Sequence, residues 1–137
     1  MTVVASTTPH AVFVGRWCPL HRGHTAIVEK VHQRTGAPVL ILVRDTEWDE
    51  LPAVYRQRMV GAWLEASGIP GRAVVIPDVA GVYYGRGVGY EVAQVEVDER
   101  TRGISATEIR SLRAAGDPAW RALVAPGVAE FIDREGL

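Results

Sequence analysis

The stretch "AVFVGRWCPLHRGHTAIVEKVHQRTG", residues 11–36, changes its periodicity partway along. Ala11–Gly15 is a continuous apolar run stopped by glycine, which reads as a short buried strand. After the loop around Arg16–Leu20, Ile27, Val28 and Val31 fall on one face of a helix that Gly36 ends. A strand, a tight exit and a helix make the first part of a parallel β-α-β unit.

The following segments continue the alternation. "PVLILV" (38–43) is apolar throughout, as a strand covered on both faces is. "AVYRQRMVGAWLEASG" (53–68) puts Tyr55, Met59, Trp63 and Leu64 at helical spacing, and "AVVIPDV" (73–79) reads as a third strand. The pattern predicts an α/β fold, a parallel sheet with helices on both faces, in one domain spanning 1–137. Residues 1–10 read as a loose lead-in. Further on, "GVYYGRGVGY" is loop-like and "EVAQVEV" (91–97) alternates like a half-exposed strand. "SATEIRSLRAAG" (105–116) reads as a capped helix, and "DPAWRALV" with "PGVAEFIDREGL" as a closing helical pair.

At 137 residues, 47% hydrophobic and 23% charged, the chain matches an ordinary globular domain with enough length to bury a core. The net charge of -1 argues against a nucleic-acid partner, which calls for a basic excess. Lys30 is the only lysine, so anion binding falls to arginines, backbone amides and histidines. With Cys18 as the single cysteine there is neither an internal disulfide nor a multi-cysteine zinc site. The first residues lack the basic start and apolar core of a secretory signal. No apolar run approaches the roughly 20 residues that span a membrane. A cytoplasmic protein without membrane contact is expected.

Ligands of open α/β sheets bind where the carboxyl ends of strands meet helix amino termini. Val14, Gly15 and Arg16 close the first strand at such an edge, and His21, Gly23 and His24 follow at the helix entrance. Unpaired N–H groups and a partial positive charge favour phosphate there. Residues three apart share a helix face, so His21 and His24 can address one anion, while Gly23 lets a ligand approach the backbone. The plain alternative is a pair of exposed or capping histidines. Two histidines without further ligands do not make a zinc site, and no protein-held metal is expected. A GxxxxGK[ST] loop is absent, and Gly85-Arg86-Gly87-Val88-Gly89 lacks the spacing of a dinucleotide fingerprint.

A second constellation lies in "GISATEIR" (103–110). Ser105 and Thr107 can cap a helix and leave Arg110 facing the same side. Alone this is a capped helix; beside the histidines it reads as a second clamp for a polyphosphate.

"GRWCPLHRGH" followed by "ISATEIR" resembles the nucleotidyltransferase superfamily with HxGH and ISxTxxR motifs. That superfamily includes cytidylyltransferases and the adenylyltransferases of NAD and coenzyme A synthesis. The likeness extends over nearly the whole chain, including "YRQRMV" and "APGVAEFIDREGL". It implies a Rossmann-like sheet, with His21, His24 and Arg110 stabilising phosphates during transfer. Ser105, Thr107 and Arg110 would hold the β- and γ-phosphates. Val14, Gly15 and Arg16 would line the trough, with Gly23 leaving room for the nucleotide. "YYGRGVGYEV" narrows the resemblance to cytidylyltransferases, specifically those fused to a phosphoenolpyruvate mutase in fosfomycin biosynthesis. This implies CMP transfer from CTP to 2-hydroxyethylphosphonate, release of pyrophosphate, and Mg2+ held mainly through substrate phosphates. A fused mutase domain would then lie outside an excised domain.

An anionic acceptor needs spare cations. Arg44 at the second strand's end and Arg86 in the glycine-rich loop are the candidates, with Tyr84 packing beside them. Tyr83, Tyr84 and Tyr90 can pack on the cytosine or the acceptor, with core edges the plain alternative. Asp45, Glu47, Asp49 and Asp78 lie near strand ends, with solvated carboxylates the plain alternative. Trp17 and Cys18 stand where many relatives carry an aromatic and a glutamine, and Cys18 reads as a small packing group. Three rivals stay open: an adenylyltransferase acting on nicotinamide mononucleotide or phosphopantetheine, a non-catalytic nucleotide-binding regulatory module, and a structural adaptor. Oligomeric state is open too, a homodimer included.

Overall fold

A computed structural model describes residues 4–46, 50–87 and 89–137. Three strands, β1 (Ala11–Gly15), β2 (Val39–Asp45) and β3 (Gly71–Pro77), form a parallel sheet in the order β1-β2-β3. Helices α1 (Arg22–Thr35) and α2 (Ala53–Ser67) make the two crossovers. The architecture is α/β, as the alternation of apolar runs requires, and consistent with a Rossmann-like nucleotidyltransferase fold. Because the strands are parallel, Gly15, Asp45 and Pro77 all end at one edge of the sheet.

Register explains the core. Phe13, Ile41 and Ala73 stand side by side, as do Gly15, Val43 and Val75. Val39, Ile41 and Val43 on this face are fully buried beneath Val28, Met59, Val60 and Trp63. Each such side chain contributes roughly 1.5–3 kcal/mol through burial. The opposite face is only half covered, and Val12 and Val14 there are 55% and 43% exposed.

Several expectations shift in detail. β3 covers Gly71–Pro77 rather than 73–79, because Gly71 and Arg72 continue the ladder opposite Val39 and Leu40. In α2 the buried position expected for Tyr55 is shared out differently: Tyr55 is half-buried and the next residue, Arg56, is completely buried. Residues 91–97 form no ladder. They run along α1 instead, where the Glu91 carboxylate accepts from Arg34 at 2.6 Å and the Glu96 carbonyl accepts from Lys30 Nζ.

The carboxyl-terminal part adds α3 (Glu99–Arg102), α4 (Ala106–Ala114), a 3-10 turn (Pro118–Ala122) and α5 (Val128–Glu135). "DPAWRALV" is thus a 3-10 turn and not a full helix, with Asp117 capping it and Pro118 in its first position. Its end is stitched to the entrance of α1. Arg22 N–H donates to the Leu123 carbonyl at 2.9 Å, and Ala125 N–H donates to the Leu20 carbonyl at 3.1 Å. Among the described residues no helix is long and apolar enough to cross a membrane.

Candidate functional site

His21 is the N-cap of α1 and His24 is its third helical residue. The two make a reciprocal capping box. His21 Nδ1 accepts from Gly23 N–H at 3.0 Å and His24 N–H at 3.3 Å, while His24 Nδ1 accepts from His21 N–H at 3.3 Å. An Nδ1 that accepts carries no proton, so each neutral ring holds its proton at Nε2. The rings stack with centroids 3.6 Å apart and 18° between planes. The Nε2–H of each ring is therefore the donor that the cap leaves unused.

Burial keeps both rings neutral. It pulls the His21 pKa from 6.5 down to about 4. Burial, followed by repulsion from His21, pulls that of His24 down to about 3. A pair of neutral imidazoles offers hydrogen bonds rather than net charge, which suits close approach to an anion whose charge is balanced elsewhere.

Two glycines are needed by their neighbours. A Cβ on Gly15 would meet the Trp17 ring at 2.9 Å, and one on Gly23 would meet the His21 ring at 2.8 Å and the Thr101 carbonyl at 3.2 Å. The space beside Gly23 therefore belongs to His21 and α3. Trp17 sits at φ 54, donates its indole N–H to the Leu42 carbonyl at 3.0 Å, and meets His24 edge-on at 4.8 Å.

The second motif joins the first through Arg110. Its Nη1 donates to the Cys18 carbonyl at 2.7 Å and its Nη2 to Thr107 Oγ1 at 3.3 Å. Ser105 caps α4 by accepting from Glu108 N–H at 3.2 Å. His21, Gly23, His24, Gly15, Arg16, Cys18, Thr107 and Arg110 thus form one connected neighbourhood. Cys18 is buried, in keeping with a packing role. Val14 contributes backbone to β1 while its side chain faces the half-covered side of the sheet.

Other candidates are placed differently. Arg44 is not a spare cation, because its Nε donates to Asp78 Oδ1 at 2.8 Å and its Nη2 lies 2.7 Å from the same oxygen. That pairing holds the Asp78 carboxyl below the usual carboxylate range and occupies it as well. Asp45 is exposed, and Glu47 and Asp49 lie outside the described residues. Arg86 and Tyr84 are exposed on the segment after β3 and make no hydrogen bond or ion pair among the described residues. Tyr83 and Tyr90 are likewise exposed, so neither is a core edge. Among the described residues there is no cluster of three or more His, Cys, Asp or Glu side chains able to hold a metal. Two concavities of about 390 and 430 Å³ have neither His21 nor His24 in their lining, one lying around His32 and Trp63 and the other around Gln57 and Gly71.

Sequence reasoning missed Arg56. It is fully buried, with Nη1 donating to the carbonyls of Arg16 at 2.6 Å and Arg44 at 2.9 Å and Nε to that of Leu51 at 2.8 Å. Its one local signal is its place within the buried stripe of Ala53, Met59, Val60 and Trp63, where an apolar residue is expected.

The comparisons agree with this neighbourhood. No protein-family model matches the chain, and no solved structure matches it significantly. A nicotinamide-nucleotide adenylyltransferase of Ignicoccus hospitalis is 31% identical over 159 aligned positions, covering 93% of this chain and 92% of the relative. Those positions outnumber the 137 residues here, so the relative carries internal residues for which this chain has no counterpart. A fused mutase finds no support in that match. With strand exit, paired histidines and arginine-bearing helix in one neighbourhood, and a relative matched almost end to end, the chain belongs to the nucleotidyltransferase superfamily that includes the nicotinamide-nucleotide adenylyltransferases.

Proposed function

We propose that the chain moves a nucleotidyl group from a nucleoside triphosphate to a phosphate or phosphonate oxygen of a small acceptor, releasing pyrophosphate. The observation that carries this reading is the Arg110–Cys18 hydrogen bond, which brings a guanidinium from α4 onto the loop leading to His21 and His24. The acceptor oxygen attacks the α-phosphorus in line, and the bond from that phosphorus to the bridging oxygen breaks. The acceptor is already ionised at neutral pH, so no general base is needed. The protein's work is positioning and charge stabilisation. His21 and His24 donate Nε2–H to phosphoryl oxygens, and Arg110, with Arg16, supplies the positive charge that neutral imidazoles lack. Ser105 and Thr107 sit at the amino end of α4, where β- and γ-phosphates find free N–H groups.

Magnesium fits this scheme as part of the nucleotide substrate. The described residues offer no carboxylate cage, so the ion would be held by phosphate oxygens and water.

Two donor–acceptor pairs compete. ATP with nicotinamide mononucleotide is supported by the similarity to the Ignicoccus protein. CTP with 2-hydroxyethylphosphonate rests on the resemblance carried by the "YYGRGVGYEV" segment, and the similarity to the Ignicoccus protein favours the first pair over it. Arg86 and Tyr84 would then meet the acceptor by movement of their exposed segment. Arg44 would join them only by leaving Asp78. Pyrophosphate release, measured with magnesium for each pair, decides. Release with ATP and nicotinamide mononucleotide alone selects the first, and release with CTP and the phosphonate alone selects the second. Triphosphate binding without release from either would favour the non-catalytic module.

A further inference from the structure

Arg56 stands where the helix periodicity asks for an apolar residue. An apolar side chain of similar volume would fill the space without desolvating a cation, so core building alone does not account for an arginine. What it adds is a rigid planar fork of donors. Nη1 spans the carbonyls of Arg16, which follows β1, and Arg44, near the end of β2. Nε holds the carbonyl of Leu51, just ahead of α2. One buried group therefore sets the spacing of two strand exits and the connection that leaves the second.

Beyond Arg16 the chain enters the left-handed region at Trp17, which a bulky residue adopts only where its surroundings impose it. The Arg16 carbonyl on Arg56 and the Trp17 indole on the Leu42 carbonyl hold that residue from either side. The Trp17 ring in turn abuts His24. A continuous path of contacts runs from Arg56 to the histidine pair.

Resting on the nucleotidyl-transfer reading, we infer that Arg56 is a positioning residue, fixing the β1 and β2 exits so that Trp17 holds His24 in line for transfer. It acts on the rate of transfer more than on nucleotide affinity. Arg56→Lys keeps the charge and loses the fork. In a folded Arg56→Lys protein, kcat falls about tenfold to a hundredfold, while the triphosphate Kd measured by calorimetry stays within about threefold. A second readout is independent of turnover: the Trp17 indole N–H, bonded to the Leu42 carbonyl, exchanges faster with solvent in the variant. Unchanged kcat overturns the proposal, as does a Kd that weakens in proportion to kcat. If the wild-type protein turns over neither donor–acceptor pair, the nucleotidyl-transfer reading falls separately. Indole exchange then decides whether Arg56 holds the junction, and a wild-type rate in the variant overturns that too. Should Arg56→Lys fail to fold, Arg56→Gln, which retains a planar donor group, is read by the same measurements.

Discussion

The imidazole rings of His21 and His24 lie 3.6 Å apart, nearly parallel, each giving its Nδ1 to backbone N–H groups at the start of α1. One arrangement thus serves two purposes. The cap starts the helix, and the Nδ1 bonds fix the tautomer that carries its proton at Nε2.

His24→Ala removes one of these donors. Losing a single donor to a developing oxyanion costs about 100- to 1,000-fold in rate. The expected outcome is a loss of kcat in that range with a smaller change in triphosphate affinity, measured by steady-state kinetics and calorimetry. Near-normal turnover would remove His24 from the transfer step.

Acid sensitivity follows from the same pair. The pKa values of about 4 for His21 and about 3 for His24 lie below the 6.5 of an unfolded chain. Below 6.5 the unfolded chain takes up protons that the folded chain refuses. Stability from these groups is therefore complete above that pH and is lost as pH falls towards the folded values. Unfolding midpoints of the wild type should drop from pH 6.5 down to about 4, and those of His24→Gln should drop less steeply. Equal slopes would assign the acid loss to other groups.

Arg110→Lys keeps a positive charge but not two donors in one plane, so it gives up either the Cys18 carbonyl or Thr107. A guanidinium no longer held in place loses its bond to a phosphate oxygen, and a hydrogen bond of a charged group contributes about 1.5–3 kcal/mol, so the KM for the triphosphate should rise roughly ten- to a hundredfold. Saturation kinetics check this, with an unchanged KM counting against Arg110 as a phosphate ligand.

Gly23→Ala tests the fit beneath the cap. The new methyl would press on the His21 ring, and the backbone carbonyl of Thr101 lies close behind. A destabilisation of about 1–3 kcal/mol is expected, with activity falling further than stability alone explains. Denaturant unfolding at matched conditions, set against specific activity, separates the two. A variant as stable and active as wild type would mean that the ring has room to move.

Much of this was legible in the residues. The apolar runs ending at Gly15, the helix stop at Gly36 and the Ser105 cap are local features, governed by burial, backbone freedom and side-chain-to-backbone hydrogen bonds within a few positions. The alternation of Glu91–Val97 misled because a half-exposed period of two is satisfied as well by lying against α1 as by a ladder. Arg44 looked like a free cation because its partner, Asp78, lies on the neighbouring chain segment and far along the sequence.

By itself the sequence determined the α/β alternation, the helix entrance bearing His21 and His24, and the arginine-bearing helix of the second motif, since each depends on spacing along a short stretch. Only the tertiary structure decided that Arg110 bonds the Cys18 carbonyl, that Leu123 and Ala125 lock the entrance of α1, and that Arg56 spans the strand exits. Those links join residues far apart in the chain. Arg56 reaches both strand exits because parallel strands must return through a long crossover, while Arg110, Leu123 and Ala125 reach the entrance of α1 because the segment after β3 packs back onto it.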